Sequence, residues 1–150
     1  MPHEKHPGNR LVGTWRFVTT ELKHADGGTV DLYGPDPNGI IIFTSDGYFA
    51  LTNTRPGRLR FASNNSMEGT ADENRATVHG SVAYFGTYSV DEANSSFSIY
   101  IEGSSFPNYE RTTQVRPFTI VADQLKFINP VSTVGGLGVC ATLRRARPPF

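Results

Sequence analysis

Short runs of β-branched and aromatic residues, separated by glycine, asparagine, aspartate and proline, recur along almost the whole chain. Such runs predict antiparallel strands joined by turns, and Ser45-Asp46-Gly47 has the composition of a hairpin turn. The predicted strands cover residues 11–22, 39–44, 47–54, 84–90, 96–102, 112–121, 124–128 and 138–145. About eight antiparallel strands are enough to close a barrel, so we predict an all-β, up-and-down antiparallel β-barrel.

One segment departs from the strand pattern. Thr70-Ala71-Asp72-Glu73 is a capping box, in which the Thr70 hydroxyl accepts from the Glu73 amide and the Glu73 carboxylate reaches back. We therefore expect one short helix near residues 70–80, closing one end of the barrel. The polar loop over residues 55–69 is typical of a flap or of a pocket mouth.

The length of 150 residues fits one domain. We divide the chain into a flexible leader over residues 1–9, the barrel over residues 10–146 and a C-terminal tail over residues 147–150. Lys and Arg together number 14, as do Asp and Glu, so no global field attracts nucleic acid. No apolar run approaches the roughly 20 residues that span a bilayer, so we expect no membrane partner.

The residue types that commonly hold metals or attack substrates form no recognisable site. His3 and His6 have a spacing of three but lie in the leader, so we predict no metal and no cofactor. Cys140 lacks an evident base partner, which favours an inert thiol. With one cysteine and no apolar segment at the start, we expect a cytoplasmic setting.

Strand alternation predicts which side chains point inward. In the first strand Trp15 and Phe17 share the apolar face, and in the last strand Arg145 shares a face with Leu143. If the barrel closes, these two strands pair and Arg145 returns to Trp15, where a guanidinium stabilises an indole ring. The alternative is an exposed arginine at a fraying chain end.

Aromatic and aliphatic side chains form the candidate ligand pocket, most of them at barrel-facing positions, with Tyr48 and Tyr100 expected at the mouth. They are Phe17, Tyr48, Tyr84, Phe97, Ile99, Tyr100, Ile101 and Phe118. An apolar chamber with a few hydroxyls and one guanidinium suits a small molecule. A filled β core has the same composition, and alternation leaves both interpretations open.

Arg116 is the most informative candidate, because a buried cation needs a partner. It shares a face with Phe118, and it meets either an acid such as Glu21 or Glu102 or an anionic or carbonyl ligand. If Val115 and Pro117 are instead the inner residues, Arg116 points outward.

Four residues are candidate catalytic groups: Arg116, Tyr88, Tyr109 and Glu102. Tyr109 follows a turn and is expected at the barrel mouth with Tyr48 or Tyr100. Tyrosine hydroxyls can orient a carbonyl or act as general acids. Glu102 can act as a base only if it faces inward. It lies two residues after Tyr100 and shares that residue's face of the strand, which favours the outer face.

Five segments together resemble the lipocalin-like domain family, a group of small intracellular barrels of the calycin type: "LVGTWRFV", "YGPDPNGIIIFTSDGYFA", "AYFGTYSVDE", "IEGSSFPNYERTTQVRPFTI" and "ATLRRAR". The resemblance implies a lipocalin/calycin-like barrel with a Gly-x-Trp opening and a late arginine. Where the family usually has a histidine pair, this chain has Ile99 and Tyr100, so imidazole chemistry on that strand is absent. The family's late tryptophan is replaced by Leu143, and its Pro-Asn-Trp by Pro107-Asn108-Tyr109.

Members of this family often accompany natural-product biosynthesis. The resemblance therefore implies a barrel enclosing a small hydrophobic molecule, with a leaning towards a cofactor-independent isomerase, cyclase or dehydratase acting on a biosynthetic intermediate. The alternative is a non-catalytic binding or carrier protein, which the loss of the histidine pair favours. A homodimer is a possible assembly.

Overall fold

The computed structural model describes residues 9–130, 135 and 138–149. Residues 1–8 of the predicted leader, with His3 and His6, lie outside this range, as does residue 150. The described residues contain one α-helix, α1 (Ala71–His79), one short 3-10 helix (Pro107–Tyr109) and nine strands. The strands are β1 (Gly13–Lys23), β2 (Thr29–Asp31), β3 (Asn38–Phe43), β4 (Tyr48–Thr54), β5 (Ser81–Asp91), β6 (Ser96–Ser104), β7 (Thr112–Val121), β8 (Gln124–Asn129) and β9 (Gly138–Arg145).

Eight of the strands close a barrel. Each pairs antiparallel with its neighbour in the order β1-β3-β4-β5-β6-β7-β8-β9, and β9 pairs back with β1. The predicted all-β antiparallel barrel is confirmed. The ninth strand, β2, extends the sheet beside the end of β1. Its three residues are too few for alternation to be visible in the sequence.

The capping box opens α1 as predicted. The Thr70 hydroxyl accepts from the Glu73 amide at 3.2 Å, and one Glu73 carboxylate oxygen accepts from the Thr70 amide at 2.8 Å. The other oxygen accepts from the Ala62 amide at 3.1 Å. Glu73 therefore fixes both the helix and the loop over residues 55–69.

Glu73→Gln is expected to weaken the protein at neutral pH and to change its acid sensitivity. The hydrogen bonds from the Thr70 and Ala62 backbones lower the pKa of Glu73, so its contribution is full above the pKa of the unfolded chain. That contribution is lost as pH falls through the lowered pKa of the folded state. Urea unfolding of both proteins between pH 7 and pH 3 should show a stability difference that shrinks on acidification. A difference that stays constant with pH would contradict this role.

One end of the barrel is packed shut around Trp15. The Arg145 guanidinium lies 4.1 Å from the centre of the Trp15 ring system, and it donates to the backbone oxygens of Val12 and Arg10 at 3.0 and 2.8 Å. Gly13 has φ of 130°, and a β carbon there would lie 2.9 Å from Arg145 Nη1. The Gly-x-Trp opening thus leaves room for the arginine.

Aromatic rings fill the same half of the barrel. Phe43 contacts Tyr88 at 4.9 Å and Phe97 at 5.4 Å between ring centres. Phe97 contacts Phe118 at 5.7 Å and Phe127 at 5.6 Å. Edge-on and tilted rings at these distances are favourable beyond the area they bury. This end of the interior is therefore a solid core.

A bulge in β1 alters the predicted inner face. The pairing of β1 with β9 shifts register between Phe17 and Thr19. Simple alternation continues the inner set from Phe17 to Thr19, but Thr20 and Leu22 are the buried residues. The extra residue in the bulge reverses the alternation, and no sequence pattern marks it.

No helix among the described residues is long and apolar enough to cross a membrane.

Candidate ligand-binding site

The end of the barrel opposite Trp15 is hollow. A cavity of about 800 Å³ begins among the inner side chains of the barrel and reaches the C-terminal end of α1. This volume lies within the range of small-molecule sites. The lining residues are Phe17, Thr20, Leu32, Tyr33, Leu51, Asn53, Thr77, Val78, His79, Ser81, Val82, Tyr84, Ser105, Phe106, Tyr109, Arg116, Phe127, Asn129, Val139 and Ala141.

Four of the predicted site residues line this cavity: Phe17, Tyr84, Tyr109 and Arg116. Tyr84 comes from β5 and Arg116 from β7, while Tyr109 is the last residue of the 3-10 helix. The Tyr84 and Tyr109 rings meet edge-on with centres 5.5 Å apart. The structure thus brings these two tyrosines together at one wall of the cavity.

Three predicted site residues lie on the outside of the barrel, which corrects their assignment to the site, although alternation had favoured the outer face for Glu102. Tyr48 is 53% exposed, Tyr100 is 42% exposed, and Glu102 is also exposed. Tyr100 alternates with Ile99 and Ile101, both of which point inward, so it must point outward. The assignment of Tyr100 to the ligand pocket was wrong for this reason.

Five more predicted residues are inside or near the core but do not line the cavity. Phe97, Ile99, Ile101 and Phe118 are buried in the hydrophobic core. Tyr88 is at the closed end. Its hydroxyl donates to the Thr44 backbone oxygen at 2.7 Å and accepts from Nδ2 of the Asn9 side chain at 3.0 Å. The interior of the barrel is therefore part filled core and part cavity.

Arg116 lies at the inner wall of the cavity and is only 1% exposed. Its Nη2 donates to Gln114 Oε1 at 2.6 Å. Its guanidinium carbon lies 5.5 Å from the centre of the Tyr84 ring and 5.4 Å from that of Phe127. Neutral groups therefore surround the charge, and the outward orientation considered from sequence does not occur.

No acid of the described chain neutralises Arg116. Among the described residues, the one ion pair joins Arg75 and Asp72 on the exposed side of α1. Glu102 points outward, and Glu21 makes no ion pair. The Arg116 Nε atom is buried and has no hydrogen-bond partner. A buried donor without a partner is costly, so this atom is where a ligand oxygen would gain most.

Two tyrosines at the cavity are held in their protonated form. Burial raises the pKa of Tyr84, although the charge of Arg116 and a hydrogen bond from it act in the opposite direction. Burial also raises the pKa of Tyr33 to about 12. At neutral pH both hydroxyls are therefore neutral and can donate a hydrogen bond to a ligand.

Several polar residues of the site were missed from sequence. Gln114, Asn53 and Asn129 are 5%, 1% and 8% exposed, respectively, and all occupy inward positions. Asn53 Nδ2 donates to the Thr20 hydroxyl at 3.2 Å. Each of these residues lies two positions from an inward-facing neighbour on its strand, and strand alternation therefore places it on the inner face. The neighbours are Arg116 for Gln114, Leu51 for Asn53 and Phe127 for Asn129. A polar residue at an inward position was the signal available in the sequence.

Metal-ligating residues do not cluster in the described part of the chain: no group of three or more His, Cys, Asp or Glu is placed to hold an ion. His79 lines the cavity mouth but is exposed. Cys140 is partly buried on β9 and is a free thiol.

An eight-stranded antiparallel barrel, packed at one end and hollow at the other, belongs to the class of barrels that hold small ligands inside. A family model described as the lipocalin-like domain matches residues 12–137. Since the match covers most of the chain, this protein belongs to the lipocalin-like domain family, as the sequence resemblance predicted. A search of curated proteins found no match.

Proposed function

We propose that this protein binds a small, largely apolar molecule in the cavity and holds an acceptor oxygen of that molecule at Arg116. The observation that carries the proposal is that Arg116 lines a cavity of about 800 Å³ while its buried Nε–H has no hydrogen-bond partner. Apolar lining residues such as Leu51, Val139 and Phe127 surround the rest of the molecule. Apolar walls with a few polar anchors are typical of ligand pockets.

A carrier and an enzyme are both compatible with such a site, and we place the carrier first. Among the described residues, no base lies inside the cavity, since Glu102 faces outward and His79 is at the exposed mouth. General-base catalysis needs such a group within hydrogen-bond reach of the reacting proton. Binding and release without chemistry require only the cavity and its donors.

The second candidate is a cofactor-independent isomerase, cyclase or dehydratase acting on a biosynthetic intermediate. The pairing of Arg116 with a protonated Tyr84 favours it, because two donors at one place can stabilise the oxyanion of an enolate. Apolar polyketide, terpenoid and alkaloid intermediates would be incubated with the protein, detected as complexes by native mass spectrometry, and analysed after release. An altered compound that is absent without protein would establish an enzyme.

Val139→Phe is expected to block the cavity and weaken ligand binding at least about tenfold, because the added ring occupies the space of the ligand. Val139 lines the cavity on β9. Titration with the neutral fluorescent probe N-phenyl-1-naphthylamine would measure the affinity of each protein.

The matched control is Val121→Phe, because Val121 is 71% exposed and does not line the cavity. It should bind the probe like the unaltered protein. Equal binding by both variants would mean that the probe sits elsewhere and would count against the proposed cavity.

A further inference from the structure

We infer that the ligand carries a single carboxylate, or an equivalent delocalised monoanion such as an enolate, and that this group is held by Arg116. The inference rests on the proposed function and adds the chemistry of the ligand's polar end. It follows from the charge balance inside the barrel, from the free donor of Arg116 and from the scarcity of other buried cations.

The first step is the charge balance. Arg116 and Glu73 are the buried charged residues of the described chain. Glu73 is occupied by the amides of Thr70 and Ala62 and makes no ion pair. The interior around Arg116 therefore holds one positive charge with only neutral neighbours, which is unfavourable in a low dielectric.

The second step is the geometry of the free donor. Nη2 of Arg116 is bonded to Gln114, while Nε has no partner. A hydrogen bond between an arginine N–H and a carboxylate oxygen is charge-assisted and therefore stronger than one to a neutral acceptor. One carboxylate oxygen would accept the Nε–H, and the same group would neutralise the charge.

The third step excludes two other head groups. A neutral carbonyl or hydroxyl can accept the Nε–H but leaves the buried charge uncompensated. A phosphate brings up to two negative charges, and no second buried lysine or arginine is present in the described residues. A monoanion is the head group that satisfies both the donor and the charge.

The test compares acids with alcohols that have the same apolar body: decanoic acid with 1-decanol, 4-cyclohexylbutanoic acid with 4-cyclohexylbutanol, and 1-naphthaleneacetic acid with 2-(1-naphthyl)ethanol. Isothermal titration calorimetry at neutral pH gives each affinity. For pairs that bind, we expect the acid to bind about tenfold or more tighter than the alcohol. Decyl phosphate should bind more weakly than decanoic acid.

Arg116→Gln keeps hydrogen-bonding capacity but removes the charge, so the preference for the acid should disappear while the alcohol affinity stays within about threefold. Arg116→Lys keeps the charge and should retain part of the preference, which also tests the inference if the glutamine variant does not fold. The matched control is Arg144→Gln, which removes one exposed positive charge on β9 and should change nothing.

Three results would overturn the inference. They are equal affinity for acid and alcohol in the unaltered protein, a preference that survives in Arg116→Gln, and a phosphate that binds more tightly than the acid. In each case the binding of an apolar molecule in the cavity stands, because a ligand still binds, although a preference that survives in Arg116→Gln also removes the proposed role of Arg116. If neither the acids, the alcohols nor N-phenyl-1-naphthylamine bind, the proposed function itself is overturned.

Discussion

Gly86→Ala is expected to prevent folding or to lower the free energy of unfolding by more than about 4 kcal/mol. Gly86 lies on β5 between the inward-facing Tyr84 and Tyr88. A β carbon at this position would overlap the backbone oxygen of Tyr100 and would lie 3.0 Å from the amide nitrogen of Glu102. Both atoms belong to the backbone of β6, so neither can swing aside as a side chain would.

The pairing of these strands explains why they approach so closely. Their register shifts between Phe85 and Gly86, where β5 pairs Phe85 with Gly103 but Gly86 with Ile101. Glu102 is the extra residue of this bulge. An alanine would push β6 away at the point where the filled and hollow halves of the barrel meet.

Soluble yield, circular dichroism and urea unfolding would measure the effect. Gly28→Ala is the matched control, because its nearest foreign atom is a flexible carboxylate oxygen of Asp26 at 3.2 Å. We expect this control to stay within about 1 kcal/mol of the unaltered protein. An unchanged unfolding midpoint for Gly86→Ala would show that β5 and β6 do not approach as described.

The double variant Arg116→Met with Gln114→Leu is expected to raise the free energy of unfolding by about 1 to 4 kcal/mol in the absence of ligand. Replacing a buried charge and its polar partner with apolar side chains of similar size removes the desolvation cost of both. The same variant should lose the preference for acids over alcohols. Stability and function would thus change in opposite directions, as is common for functional sites.

Urea unfolding at neutral pH would test this expectation, with Arg116→Met alone as a comparison. The single variant leaves the oxygen of Gln114 without the donor it has at 2.6 Å, so it should gain less than the double variant. Arg144→Met, at an exposed position, should change stability by no more than about 0.5 kcal/mol. A double variant less stable than the unaltered protein would mean that Arg116 is a net structural contributor.

Some predicted features remain predictions. The division into leader, barrel and tail, the cytoplasmic setting, the absence of a nucleic-acid partner and the homodimer belong to this group. So do the roles proposed for Arg116, Tyr84 and Tyr109, whose positions at the cavity are described but whose action awaits the experiments above.

The sequence by itself determined the barrel and its local signals, because these depend on short-range chemistry. Strand alternation, hairpin turns and the Thr70–Glu73 capping box act over a few residues. Alternation also placed Arg145 and Trp15 on matching faces, and closure of the sheet brings them together.

Only the tertiary structure decided which half of the barrel is hollow and which residues reach the cavity. Alternation assigns a side chain to a face but says nothing about its height along the barrel, so Tyr84 and Tyr88 of β5 were both predicted for the site although only Tyr84 lines the cavity. Bulges reverse the alternation, as Thr20 shows. The absence of a partner for Nε of Arg116 likewise depends on the other strands, because the neighbouring groups are the rings of Tyr84 on β5 and Phe127 on β8, and neither is an acid.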